Sequence, residues 1–318
     1  MKETEFIEII KETLDDSRYI GDDCADIKES NLFVTQDTLV EDVHFKMCWT
    51  TPFKLGKKAV AVNISDLAVT ICNPAYISIG LSLPQDTSAD FVREFYRGVN
   101  EACREYNVVV TGGDITAADK IFVSITAIGT RRHDINVSRK FAKPGYFILS
   151  TGNYGASAAG LFALQKAIPA SDEVINAHLL PKAKLEEAHY MGQFVEENIA
   201  VMDTSDGLAD ALYKISKDSK VSIKVNFYDI QVLEEVKKLA KDNNVPLEDW
   251  VLWGGEDYEL IFCVSYYYFS ILETDKIKYI GYIEDYSDTP SVEITKDGEK
   301  YLIDENVFSD KAFKHFGG

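Results

Sequence analysis

The stretch YISIGLSLPQDTSADFVREFYRGVNEACREYNVVVTGGD, residues 76–114, decides the fold class. Residues 76–83 are strand-like and close at Pro84. Thr87 and Ser88 offer a helix cap, and Phe91, Phe95, Val99, Ala102 and Tyr106 then share one stripe, which predicts a helix over 88–106. The β-branched run from Val108 predicts a further strand over 108–111, ending in Gly112-Gly113-Asp114. Strand, helix and strand in succession point to α/β layers.

The same alternation extends outward. Phe6, Ile9, Ile10 and Leu14 give a short amphipathic helix over 3–14, and 32–35 reads as a strand that holds Asp37 at its end. Residues 57–68 suit helix or strand equally, and 121–128 is another strand. The polar, basic segment 131–143 followed by Pro144-Gly145 marks a domain boundary. Beyond it come a strand at 146–150, a Gly/Ala-rich turn and helix at 152–167, and helices at 183–197, 207–217 and 231–243. Strands are expected at 222–227 and 258–264. A chain of 318 residues suits two domains, here 1–137 and 138–318.

Composition narrows the function. With 52 acidic against 33 basic side chains the net charge is −19, which argues against nucleic acid or an anionic membrane as partner. The five cysteines, Cys24, Cys48, Cys72, Cys103 and Cys263, form no Cys-x-x-Cys pair, so a zinc site is not expected and reduced thiols in a cytoplasm are. No apolar run approaches the roughly 20 residues of a membrane span. The first twelve residues lack the apolar core of a signal peptide.

The chemistry gathers in acidic turns. Gly21-Asp22-Asp23, Thr35-Gln36-Asp37, Asn63-Ile64-Ser65-Asp66, Gly112-Gly113-Asp114, Asp203-Thr204-Ser205-Asp206-Gly207 and Gly254-Gly255-Glu256-Asp257 lie beside Gly or at strand ends. Any one of them could be a solvated turn or a helix cap. Asp66 differs, because it interrupts an apolar run, and a buried carboxylate needs a partner or a metal. Asn63 and Asp66 would share a face if their segment is helical. Six such turns point to a multi-ion carboxylate site, the kind that places magnesium on substrate phosphates. There is no Gly-x-x-x-x-Gly-Lys-Ser/Thr loop. Gly152-Asn153-Tyr154-Gly155 has the look of a phosphate-cradling turn but reads better as close strand–helix packing.

The ordered blocks IGDDCA, TQDTLVEDVHF, KAVAVNISDLA, GGDIT, STGNYGASAAGL, MDTSDGL and GGEDYELIF, from Ile20 to Phe262, resemble the thiamine-monophosphate kinase family. Phe313-Lys314-His315-Phe316 resembles the family's C-terminal end. The resemblance implies a two-domain aminoimidazole-ribonucleotide-synthetase-like α/β fold. The N-terminal sheet domain would bind ATP and magnesium and form a homodimer, and the C-terminal α/β domain would complete the substrate site. It implies a cytoplasmic kinase with ATP as co-substrate and several Mg2+ ions. Asp23, Thr35, Gln36, Asp37, Asp66, Asp114, Asp203 and Asp206 would hold the ions. Tyr96, Gly113, Asp114, Arg139 and Ser205 would meet the nucleotide, and His44, Glu256 and Phe313 the thiamine phosphate. Asp37, Asp66, Asp114 and Arg139 would carry the transfer. The chain departs from the family pattern at Gln36, where a hydroxyl is usual, at Asp42 in place of Gly, at Tyr146 in place of Asp and at Ala156 in place of Asp. A selenophosphate or aminoimidazole ribonucleotide synthetase, or a non-catalytic nucleotide-binding relative, is the competing reading.

Overall fold

The computed structural model describes residues 3–272 and 274–314. Helix α1 (Glu3–Thr13) leads into a five-stranded sheet of β1 (Ala25–Ile27), β2 (Leu32–Val40), β3 (Asn73–Leu83), β4 (Val109–Ala117) and β5 (Phe122–Thr130). Its order is β1-β2-β5-β3-β4, antiparallel except for β3 beside β4. Helix α2 (Pro52–Val69) lies against β2 and β5, and α3 (Ala89–Tyr106) packs on α2.

The second half builds a seven-stranded sheet from β6 (Phe147–Thr151), β7 (Ala200–Asp203), β8 (Val221–Asn226), β9 (Leu260–Val264), β10 (Ile277–Tyr286), β11 (Ser291–Lys296) and β12 (Glu299–Ile303). The order is β12-β11-β8-β10-β6-β9-β7. Helices α4 (Ala156–Lys166), α5 (Asp172–Leu179), α6 (Leu185–Met191), α7 (Leu208–Ser219), α8 (Glu234–Asp242), α9 (Leu247–Trp253), α10 (Tyr266–Leu272) and α11 (Glu305–Lys311) are distributed around it.

Helix α2 is the element that the two sheets share. Thr51 caps it by accepting the Lys54 N–H, and Pro52 takes the first turn, where its missing N–H costs nothing. From Leu55 to Val69 nearly every side chain is buried. A helix buried on all sides shows no amphipathic period, which is why 57–68 is ambiguous as a pattern. Its packing on α3 depends on two glycines. A Cβ on Gly56 would lie 2.2 Å from Phe95 O, and one on Gly98 would lie 1.9 Å from Phe53 O. One apolar cluster runs from Ile77, Ile79 and Ile125 through Leu67 and Ile71 to Val201, Leu260 and Phe262, so both sheets pack into one core.

Three expectations need correction. Strand β2 runs on to Val40, so Asp37 sits within a strand and not at its end. Gly112-Gly113-Asp114 is likewise inside β4. The two glycines hold φ of +149° and +156°, and a Cβ on Gly113 would lie 1.9 Å from Ile79 O, so the strand can continue there only without side chains. The helix expected over 183–197 is only Leu185–Met191. It stops at Gly192, where a Cβ would lie 2.5 Å from Ile71 Cγ2.

Candidate active site

Polar side chains leave α2 in several directions, and each meets a different part of the fold. Asn63 accepts the backbone N–H of Asp37 at 3.0 Å, while its own amide donates to Ala59 O at 3.0 Å. Asp66 accepts the Thr35 hydroxyl at 2.6 Å. Ser65 donates to Asp203 Oδ2 at 2.6 Å, which joins α2 to the end of β7. The Cys24 thiol donates to Asp66 O at 3.3 Å and so brings in the Asp23 loop. Asp23, Thr35, Asp37, Asp66 and Asp203 are thus assembled on one helix from four separate segments.

The carboxyls repel one another. Burial pushes Asp23 up to about 7, against the pull of Arg139 and with a further push from Asp203 and Asp22. Burial, then Asp203, Asp206 and Glu256, raise Asp37 to about 6. Asp66 is held well above the usual carboxylate range by burial and by Asp37, Asp203 and Asp23. Asp203 is raised by burial even though Ser65 and Ser205 donate to it.

Little positive charge offsets this. Arg139 Nη1 is 4.0 Å from Asp23 Oδ1, but its Nε is 2.8 Å from Asp218 and its Nη2 donates to Gly21 O at 2.5 Å. Lys214 Nζ lies 3.1 Å from Asp206 and 2.7 Å from Asp210. Asp23 Oδ2 is buried with no hydrogen-bond partner among the described residues. Such a donor set suits hard cations. Among the described residues no three Asp, Glu, His or Cys side chains close on one ready-made metal position. A cavity of about 660 Å³ opens beside Asp23, and its walls mix bases such as Arg18, Lys28 and Lys140 with acids such as Asp22, Asp26 and Asp218.

The other expected residues are dispersed. Gln36 lies on the outer face of the first sheet, where it accepts the Thr126 hydroxyl at 2.7 Å. Asp114 is in register with Gly80, in the row that carries Ser124 and Thr38 on that same outer face. Strand β4 is three strands from β2, a separation of roughly 14 Å, so a single chain does not bring Asp114 to Asp37 and Asp66, and Gln36, though adjacent to Asp37 on β2, faces the opposite side of the sheet. Gly113 is its neighbour on β4. Tyr96 is half-buried on α3, edge-on to Phe95. Ser205 donates to Asp203 Oδ1 at 3.1 Å, and its carbonyl accepts the Glu256 N–H at 2.7 Å. His44 Nδ1 accepts the Val40 N–H at 3.0 Å in the turn after β2. In that turn Asp42 holds φ +67°, a conformation that explains why glycine is usual there. Phe313 is 60% exposed, and His315 and Phe316 lie outside the described residues.

Several neighbours of these residues are not foreseen from the sequence. Lys58 and His178 both reach Glu256 Oε2, each at 2.9 Å. A lysine inside the apolar run of α2 is the available signal for the first, and nothing in the sequence marks the second. Asp257 accepts the N–H groups of Gly155 at 2.7 Å and Ser157 at 3.0 Å. It therefore fills the start of α4, the position a phosphate would take in a cradling turn.

Comparison with known proteins agrees with this architecture. Residues 21–131 match the family described as AIR synthase related protein, N-terminal domain. The thiamine-monophosphate kinase of Bacillus subtilis (strain 168) is 33% identical over 316 residues, covering 93% of each chain. That of Aquifex aeolicus (strain VF5) is 31% identical over 317 residues, covering 98% of this chain and 96% of its own. The solved structure of AaThiL complexed with AMPPCP and TMP superposes with a TM-score of 0.85 at 30% identity, covering 99% of this chain and 97% of that one.

Proposed function

The chain belongs to the thiamine-monophosphate kinase family, and from that premise we propose that it transfers the γ-phosphoryl group of ATP to thiamine monophosphate, giving thiamine diphosphate. The observation that carries the proposal is the set of carboxyls formed by buried Asp203 and half-buried Asp23, Asp37 and Asp66, drawn from both halves and short of positive charge. Magnesium held there, with Thr35 and Asp206 at the margin, would neutralise the phosphates that must approach each other. Arg139, beside Asp23, would receive phosphate oxygens once the ions offset the surrounding acids. The acceptor is a phosphate monoester whose second pKa is about 6, so it is already ionised near neutrality and needs no strong base. Direct in-line attack on the γ-phosphorus is therefore the simplest route.

Tyr96, Gly113, Asp114, Arg139 and Ser205 are assigned to the nucleotide, and His44, Glu256 and Phe313 to the thiamine phosphate. Asp114 lies roughly 14 Å from Asp37 across the sheet, a distance that suits the far end of a nucleotide better than the same ion. Gln36, on the outer face with Asp114, is assigned with it. Residues 1–137 would bind ATP and magnesium and form the dimer, and 138–318 would complete the substrate site, in a cytoplasmic enzyme. Purified protein given ATP, Mg2+ and thiamine monophosphate should yield thiamine diphosphate by chromatography, with inversion of a chiral γ-phosphate. Turnover of free thiamine in preference to its monophosphate would refute the assignment. Retention at phosphorus would show transfer through the protein.

A homodimer fits the first sheet. Strand β4 is its edge and is exposed along its whole length, with Val109 at 59% and Ile115 at 61%. A long unpaired apolar edge is normally covered. Light scattering over a dilution series should give about twice the chain mass, and a monomer at micromolar protein would exclude this assembly.

A further inference from the structure

Glu256 is held with unusual firmness. Its backbone is left-handed at φ +64°, and its N–H is fixed to Ser205 O at 2.7 Å. Its Oε2 accepts Lys58 Nζ at 2.9 Å, and His178 Nδ1, which also lies 3.3 Å from the Ser157 hydroxyl, stands 2.9 Å from the same oxygen. Lys58 Nζ also donates to His178 O at 3.1 Å, so the three residues form one closed group. Oε1 accepts no hydrogen bond among the described residues and is not sealed in, since the side chain keeps 21% exposure. One oxygen is anchored and the other is available.

Stability does not account for this group. Lys58 is 3% exposed, and Glu256 is its only carboxylate partner among the described residues. A buried ion pair recovers little more than its desolvation cost, and an apolar pair of similar volume would hold the helix as well. Burial alone would push the Glu256 carboxyl up. Lys58 and then His178 hold it down to about 2, so it is ionised at any physiological pH. A fixed, charged, single-oxygen acceptor suits a ligand that combines a ring cation with an exocyclic amine, as thiamine does.

We propose that Lys58 and His178 are positioning residues that pin Glu256 Oε2, so that Oε1 meets the organic part of thiamine monophosphate and sets recognition of that substrate. The inference rests on the reading that Glu256 touches thiamine monophosphate. The Glu256 carboxylate is close enough to the ion site to raise Asp37, but Lys58 itself is set back from it along the helix. Lys58 lies eight residues before Asp66 on α2, about 12 Å along its axis.

The test is a double-mutant cycle with K58M, E256Q and K58M/E256Q, measuring kcat and both KM values, with melting temperature as a control. K58M should raise KM for thiamine monophosphate about tenfold or more while KM for ATP moves less than about threefold. The double variant should be no worse than E256Q alone, because the lysine acts through the glutamate. K58M strands a buried carboxylate. If it does not fold, K58M/E256Q, which buries no lone charge, and H178Q carry the same comparison. H178Q should also raise KM for thiamine monophosphate selectively. Equal changes in both KM values, or additive losses in the cycle, would overturn the inference and leave a structural role. Wild-type protein that makes no thiamine diphosphate, or E256Q that keeps its normal KM, would instead overturn the reading beneath it.

Discussion

Replacing Asp66 by Asn should lower kcat by about 10³-fold while the melting temperature holds or rises slightly at pH 8. Asp66 is half-buried among Asp37, Asp203 and Asp23, and its carboxyl is pushed well above the ordinary range. Removing that charge relieves repulsion in the folded state, and the amide oxygen of Asn can still accept the Thr35 hydroxyl that now binds at 2.6 Å. The fold therefore loses nothing it needs. What would disappear is the anionic oxygen proposed to place an ion against the phosphates, and a factor of 10³ corresponds to about 4 kcal/mol of barrier. Asp37→Asn should behave alike, because the bond from Asp37 to Asn63 uses its backbone N–H and survives the change. Activity lost in step with a fall in melting temperature would mean that these acids hold α2 to β2 and do no more.

Particular residues show how much of this is legible in the sequence. The amphipathic stripe of α3 and the alternation around it announce the α/β layers, because each of those elements has one wet face. Helix α2 is opaque for the opposite reason, being buried on all sides. The acidic turns point to Asp23, Asp37, Asp66 and Asp203, and the fold gathers these four around α2, since an acid set in an apolar run must find a partner or an ion. The same reasoning groups Gln36 and Asp114 with them, and period-two alternation separates them. Gln36 and Asp37 are adjacent in β2 and so face opposite sides of the sheet. Extending β4 through Gly112 and Gly113 sets Asp114 in the outer row. Lys58 and His178 are 120 residues apart and meet only through tertiary packing, which no local pattern records.

The metal-free enzyme should become less stable as pH rises from 6 to 8, and magnesium should reverse most of that loss. An ordinary aspartate has a pKa near 3.9. In the folded chain burial and crowding raise Asp37 to about 6 and Asp23 to about 7. Between about pH 4 and 7 the folded state thus keeps protons that the unfolded chain has released. Stability falls with pH wherever the native state binds more protons, so no penalty exists below about pH 4 and it grows as pH passes through about 6 to 7. Glu256 has the opposite sign. Held at about 2 by Lys58 and His178 against its burial, it contributes stability above about pH 4.5 and loses it only as pH falls toward 2. It is therefore silent in the window of the test. Magnesium competes with the protons on the crowded acids, so each ion that displaces one proton should bind roughly tenfold more weakly per pH unit below their pKa. Calorimetry with EDTA or Mg2+ at pH 6, 7 and 8 should show a metal-free melting temperature that declines with pH and a magnesium increment that grows. Titration of Mg2+ in buffers of different ionisation enthalpy should detect released protons at pH 6 and few at pH 8. A metal-free melting temperature that climbs from pH 6 to 8, or magnesium binding without proton release at pH 6, would show that these carboxyls are already ionised and stabilised by something other than the ions.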